Sequence, residues 1–416
     1  MRNVAVIGAG IAGLSAAYLL SRRHRVTLYE RDSRLGGHTH TVIADDPGGP
    51  VALDTGFLVH NDRTYPNLVR LFEELGVATH ASDMSFSVAC AATGLEYSSR
   101  GLRGFFAQPS RLLRVGHYRL LREILRFNRH APDILGAAAA ERWTLGDYLG
   151  SHHYSSEFIE HYLVPMTSAI WSTSFDGVQA FPAQTLVRFM QNHGMLSVAS
   201  QPVWRVVTGG SQTYIPKLLA PLGHAVHTSL SPVAVHRHDR GVLLTFRERP
   251  AERFDDVVFA CHGDQVLSLL ADPSDAERDI FGQFTTTRND VWLHTDRRYL
   301  PQVPAARAAW NYRVDGTSDA PPSVTYHLNR LQGLSSATDY CVTLNPRTPI
   351  ADQAVLKRME YRHPRFTLSA VRAQARWNEV SGVRHTHFCG AYWRYGFHED
   401  GLLSGMRVAA ALGVRW

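Results

Sequence analysis

The sequence predicts an α/β chain, α+β overall, folded as two domains, and three observations carry that expectation. The chain has 416 residues, more than one hydrophobic core usually serves. It opens "NVAVIGAGIAGLSAAYLL", an apolar run, three spaced glycines and a helical pattern. Strand-like runs and glycine turns of similar kind return far downstream, at 254–263 and 388–405. A sheet begun by the opening stretch is therefore expected to be discontinuous, with a second mixed sheet-plus-helix domain inserted into it.

Taken in order, "NVAVIG" suits a strand buried on both faces. "GAGIAG" then places Gly8 for a tight turn, Gly10 for close approach of backbone to a pyrophosphate, and Gly13 for helix–strand packing. Ile11 and Ala12 open the helix, whose unpaired N–H groups favour a phosphate. "HRVTLYE" supplies a second strand ending at Glu30, where a carboxylate meets ribose hydroxyls. Strand, helix, second strand and terminal acid define a Rossmann-type dinucleotide domain. They do not separate NAD from FAD.

The next stretch, "ERDSRLGGHTHT", does separate them. Arg31, Arg34, Gly36, Gly37, His38 and Thr39 resemble the E-x-x-x-R-x-G-G-x-x-x-T extension of the FAD-dependent amine oxidase/phytoene desaturase superfamily. A second glycine pair lets another backbone segment approach the longer FAD diphosphate. The resemblance implies FAD and an FAD-binding domain at 1–80, 203–265 and 384–416, with a substrate domain at 81–202 and 266–383. It further implies that Thr55, Gly56 and Phe57, after Asp54, turn toward the flavin and that the Val233 backbone meets adenine. Gly390 ends a strand returning beneath the flavin ring, and His398, Glu399, Asp400, Gly401 and Leu402 approach the flavin and ribityl chain. Asp54 also reads as a turn residue, and Asp400 as a helix N-cap.

A flavin takes a hydride from a substrate carbon laid against its ring. The aromatic run Tyr392, Trp393, Tyr395 and Phe397 reads either as the walls of such a slot or as packing. His60, Tyr65, His294 and His398 are the candidates for proton handling. The superfamily's amine oxidases place a lysine near flavin N5. Here Lys217 and Lys357 are the only lysines, and Arg288 and Asn289 stand where that lysine is expected. His224, His227, His236 and His238 lack partners at zinc-ligand spacing, so no metal is expected.

Segments 54–77, 261–270, 293–301, 310–314, 327–334 and 395–402 together are similar to a narrower family. It comprises predicted NAD/FAD-binding oxidoreductases associated with cyclopropane-fatty-acid synthases, akin to the N-terminal FAD domain of plant cyclopropane synthases. That resemblance implies a lipid acyl substrate, desaturated by hydride transfer, and a cyclopropane-synthase-like methyltransferase partner. A flavin amine oxidase and a flavin-containing lipid-binding accessory protein are the alternatives.

Formal net charge is +6, but without a dense basic run nucleic acid is not an expected partner. Four scattered cysteines have neither metal nor redox spacing. A strand beginning near Asn3 leaves no room for a signal peptide, and no apolar run is long enough to span a bilayer. The expected location is cytoplasmic, with peripheral contact at the inner membrane face as the variant. That contact is expected through "RLLRVGHYRLLREILRFNR", 111–129, whose six arginines share one side of a helix.

Overall fold

Five short parallel strands form the sheet that the opening stretch begins. Their order is Val226–His227, Arg25–Tyr29, Asn3–Ile7, Asp256–Phe259, Thr386–Phe388. They come from well-separated stretches of a computed structural model that describes residues 1–197, 201–314 and 322–416. Val4, Ala5 and Val6 have no exposed surface, which is why their strand reads as an unbroken apolar run. Helix Ile11–Leu20 follows the glycine turn and is buried at nine of its ten positions. The last helix, His398–Ala411, packs against it through small residues. A Cβ on Gly405 would lie 2.7 Å from the Ala12 carbonyl oxygen, and one on Gly401 2.7 Å from Ile11 Cγ2. Both glycines therefore permit the approach of the two helices.

A seven-stranded sheet forms the second layer, in the order Val355–Pro364, Thr286–His294, Cys341–Leu344, Ser323–His327, Trp310–Val314, Phe86–Cys90, Leu95–Ser98. All its neighbours are antiparallel except Trp310–Val314 with Phe86–Cys90. Helices between Gly101 and Asn192 pack with it, so that Phe127, Phe158 and Phe181 share a core with Val291, Leu293 and Val324.

Membership of the two cores crosses the expected domain boundaries. Phe281, Phe284, Ala373 and Trp377, expected in the second domain, pack in the first core, while Leu53, Leu58 and Val59 pack in the second. The physical reason lies at the edge strand Thr386–Phe388, which needs cover. Phe281 packs on Phe388 at 4.6 Å between ring centroids, and Trp377 Nε1 donates to the Phe388 carbonyl at 2.8 Å.

The arginine-rich stretch differs from the continuous helix expected over 111–129. A 3-10 turn, Pro109–Leu113, is followed by extended backbone at Arg114, and the helix runs Val115–His130. Arg111 and Arg114 therefore lie outside the helix, while Gly116 is accommodated in its first turn. Among the described residues no helix is long and apolar enough to cross a membrane.

Candidate active site

A single cavity of about 1200 Å³ extends from the carboxyl ends of the parallel strands into the second layer. Ile7, Gly8, Tyr29, Glu30 and Ala260 line one end; Phe86, Tyr97, Trp310 and Tyr326 line the other. Ligands of open parallel sheets bind outside the carboxyl ends of the strands, and this volume exceeds the roughly 300–1,000 Å³ of ordinary small-molecule sites.

The glycines of the first turn divide by what surrounds them. Gly8 has φ +106° and would put a Cβ 2.8 Å from the Ala260 carbonyl oxygen. A Cβ on Gly13 would lie 1.9 Å from the Gly8 carbonyl oxygen. Gly10 lines the cavity and would place a Cβ with no atom within 4 Å beyond its own chain neighbours. The first two hold the turn against the sheet, and the third keeps a space clear for a ligand. A second loop docks on the first: the Gly36 amide donates to the Ala9 carbonyl at 2.8 Å, and Gly37 (φ +58°) packs by Gly10. Arg34 holds this loop by donating to the Gly37 and Thr39 carbonyls at 2.7 and 2.8 Å. Glu30 accepts from the Ala9 amide at 2.7 Å and the Asp32 amide at 2.9 Å while lining the cavity. A backbone cradle with one glycine facing open space fits a dinucleotide diphosphate.

Of the residues expected at the cofactor, Gly8, Gly10, Ile11, Ala12, Glu30, Arg31, Gly36, Gly37, His38, Gly56, Phe57, Val233, Gly390 and His398 line the cavity. The Val233 amide is already given to the Thr245 carbonyl at 2.8 Å. Gly13, Thr39, Asp54, Thr55, Glu399, Asp400, Gly401 and Leu402 do not line it, and each has a structural partner instead. Asp54 accepts from Thr41 Oγ1 at 2.6 Å and from the Ser211 amide at 2.8 Å; burial pushes its carboxyl up to about 6. Thr55 Oγ1 meets the Tyr361 hydroxyl at 2.7 Å. Glu399 caps helix Pro66–Glu74, accepting from the Leu68 amide at 2.9 Å. Asp400 accepts from the Phe397 amide at 3.0 Å as a helix cap, and burial raises it to about 7. Leu402 is wholly buried in the first core.

The residues expected to act on substrate divide in the same way. His294 is fully buried, bonded to Thr343 Oγ1 at 2.7 Å, and lies away from the cavity wall. His60 is also buried off the wall, edge-on to Phe72. Both are core histidines. His398 does line the cavity, stacked on Phe57 at 3.7 Å, with Nε2 2.9 Å from Thr39 Oγ1. Burial, reinforced by His60, holds it down to about 3, so it is an uncharged hydrogen-bonding group rather than a base. From the aromatic run Tyr392 and Phe397 line the cavity; Trp393 packs on Phe284 in the first core, and Tyr395 is off the wall. Among the described residues the Tyr392 hydroxyl has no hydrogen-bond partner. Tyr65, buried, lines the cavity too.

Sequence reasoning missed a histidine cluster. His262 and His363 line the cavity beside His38, their ring centroids 6.2 and 5.2 Å from it. Burial lowers all three from their usual range, with the neighbouring imidazoles adding to the effect at His38 and His363. His38 Nε2 has no partner among the described residues. His262 follows the strand Asp256–Phe259 at the sheet's carboxyl end, a position that the switch-point rule marks. His363 lies on a strand of the other layer and carries no local signal.

The far end of the cavity was also illegible. Pro165 has no N–H for the His161 carbonyl, and the helix widens into a π-turn over Ile159–Leu163. The Tyr97 hydroxyl takes that carbonyl at 2.6 Å. Tyr162, within the π-turn, lines the cavity with Phe105, Leu121, Ile124, Met166, Ile170 and Phe189. Among the described residues the charged groups along the whole cavity are Glu30, Arg31, Asp32, Arg247, Glu248 and Arg362. The first five border the dinucleotide end, and Arg362 turns to Glu360 at 3.3 Å. Neither lysine lines the cavity: Lys217 donates to the Leu75 and Gly76 carbonyls, and Lys357 lies 3.4 Å from His40.

Comparison with known proteins agrees with this geometry. Residues 11–349 match the family described as flavin containing amine oxidoreductase. A Mycobacterium tuberculosis protein named as a flavin-containing monoamine oxidase, AofH, is 27% identical over 257 residues, 60% of this chain and 55% of that protein. The chain thus spans about half the length of that curated relative. Putrescine oxidase bound to putrescine superposes with TM-score 0.72 at 16% identity, covering 100% of this chain and 99% of that one. A fatty acid isomerase of P. acnes that produces CLA superposes with TM-score 0.68 at 15% identity, covering 97% of each. At such identities the solved structures speak for the fold alone. The glycine cradle and the match over 11–349 place the chain in the flavin-containing amine oxidoreductase family, with FAD as its cofactor.

Proposed function

We propose that the chain is an FAD-dependent oxidoreductase that desaturates an unsaturated or modified fatty acyl chain. One observation carries the acyl reading: among the described residues, the second-layer end of the cavity is mostly apolar and aromatic, with uncharged polar groups such as Ser98 and Asn128, and bears no ionised side chain. An ammonium substrate would enter it without a counter-charge, at a high desolvation cost. An acyl chain gains roughly 0.8 kcal/mol per buried methylene. The position of both lysines outside the cavity favours the same reading.

When bound, FAD supplies a hydride acceptor. The chain's own residues bind the substrate by apolar burial and exclude water. Burial keeps His38, His262 and His363 uncharged, so they can hydrogen-bond at the cavity wall without adding charge to it, and like His398 they are disfavoured as imidazolium. Resemblance to the family associated with cyclopropane-fatty-acid synthases points to an acyl-modifying methyltransferase as the enzyme that supplies the substrate. Its location under this reading is the cytoplasm, at the inner membrane face.

Anaerobic mixing tests the proposal. Phospholipids or fatty acids with a mid-chain double bond or methyl branch are expected to bleach the flavin, while primary amines and polyamines leave it oxidised. Bleaching by an amine, with every lipid inert, transfers the activity to amine oxidation. A flavin reduced by neither class identifies a lipid-binding accessory protein.

A further inference from the structure

Twelve large apolar side chains are strongly exposed among the described residues, and six of them fall between 102 and 125. These are Leu102, Leu112, Leu113, Val115, Tyr118 and Leu125, of which Leu113 is 88% and Val115 76% exposed. Packing makes one surface of most of them. His117 Nε2 meets the Phe105 carbonyl at 2.8 Å, Phe106 packs on Tyr118 at 5.3 Å, and the Tyr118 hydroxyl donates to the Leu112 carbonyl at 3.0 Å. The short helix Gly101–Phe105, the 3-10 turn and the start of the long helix are thereby held side by side.

The same stretch is strongly basic. Between 100 and 129 it holds eight arginines and one acid, Glu123, which is buried and bonded to Ser155. Arg100, Arg103, Arg114, Arg119, Arg122 and Arg129 are exposed. Arg126, expected to share this role, is drawn inward, its guanidinium 4.1 Å from the Tyr154 ring centroid. Apolar tips set among unneutralised arginines suit an interface of anionic headgroups over acyl chains. The inner side of the segment faces the cavity, which Phe105, Leu121 and Ile124 line. The outer patch and the inner wall are therefore opposite sides of one thin layer.

We propose that this surface docks the protein on an anionic phospholipid bilayer, placing the apolar end of the cavity against the membrane. Docking stands on the patch itself; delivery of an acyl chain through this wall rests on the acyl reading above. The occupant is a lipid surface and not a protein, because six exposed arginines and the apolar tips occur together, with the part-buried Glu157 beside Gly116 too little to balance them.

Cosedimentation of the FAD-loaded chain with vesicles tests this. At low salt the protein is expected to pellet with phosphatidylcholine–phosphatidylglycerol vesicles and to stay in solution with phosphatidylcholine alone. Two variants, Leu113→Asp with Val115→Asp, and Arg114→Gln with Arg119→Gln and Arg122→Gln, are each expected to lower partitioning by roughly tenfold or more. Both are expected to keep the wild-type flavin spectrum, since none of these residues lines the cavity. Leu356→Asp, at an exposed apolar site elsewhere, is expected to partition like wild type. No binding to anionic vesicles, or binding that ignores both variants, overturns the proposal. Self-association abolished by the same variants, without vesicle binding, assigns the patch to a second copy and overturns it too. Vesicle binding together with flavin bleaching only by amines leaves docking in place and removes the acyl reading.

Discussion

The two ends of the cavity are built by opposite means. The dinucleotide end is backbone: a glycine turn and a second loop, mostly within residues 7–37, with side chains such as Arg34 and Glu30 bracing them. The second-layer end is side chains, brought from Phe86, Leu121, Met166, Phe189, Trp310 and Tyr326. A backbone cradle selects one ligand by shape and hydrogen bonding. A wall of apolar side chains selects a class of ligand by polarity and length.

Substitutions at the first end should separate fold from cofactor. Gly13→Val has the largest expected effect, because its Cβ would sit 1.9 Å from the Gly8 carbonyl oxygen, itself fixed by the sheet. Loss of the cooperative unfolding transition is expected, read by circular dichroism. Gly10→Val should be different in kind: nothing beyond its chain neighbours lies within 4 Å of the new Cβ, and φ −74° suits any residue. A folded but colourless protein is expected, with flavin absorbance per chain near zero. A yellow Gly10→Val protein would break the distinction between the two glycines.

At the second end Met166→Asp should leave the protein yellow while weakening acyl binding by about tenfold or more, since an unpaired carboxylate enters an apolar wall. Retained acyl affinity in a Met166→Asp protein would show that this wall does not hold the chain.

The smallest effect concerns pH and reports on the layers rather than the ligands. Burial holds His40, His60, His193, His294 and His363 at about 4 and His398 at about 3, below the usual 6.5. The unfolded chain therefore takes up protons between about 6.5 and 4 that the native state refuses, and stability falls as pH drops through that window. Asp54 and Asp400, raised by burial to about 6 and about 7, act oppositely: their contribution is present below about 4 and lost as pH rises through those values. Six groups against two give a net loss on acidification. Thermal scans are expected to show a falling midpoint from pH 6.5 to 4.5, with a shallower slope in His294→Asn.

How much was legible follows the same division. The turn over Gly8–Gly13 and the loop at Gly36–Gly37 could be read because a positive φ or a close approach demands glycine at a definite spacing. The 398–402 stretch was readable only in part. Its helix start was plain, but Glu399 and Asp400 turn out to satisfy amides of the protein, which a carboxylate at a helix N-terminus does as readily as it touches a ligand. His60 and His294 illustrate the limit for chemistry. A histidine in a strand looks the same in sequence whether it faces a core threonine, as His294 does, or a cavity, as His363 does. The apolar wall escaped because its members are ordinary core residues until the two layers are brought together. Pro165 alone carried a local sign, a proline inside a helical pattern, and the π-turn beside it places Tyr162 on the wall.

The measurement that bears most directly on this account is the affinity of the oxidised enzyme for a series of acyl chains, read from perturbation of the flavin spectrum. If the apolar end holds the substrate, each added methylene should tighten binding about fourfold, the equivalent of roughly 0.8 kcal/mol, until the cavity is filled. Affinity that does not change with chain length would contradict the account, because a wall selecting by apolar burial cannot be indifferent to the length it buries.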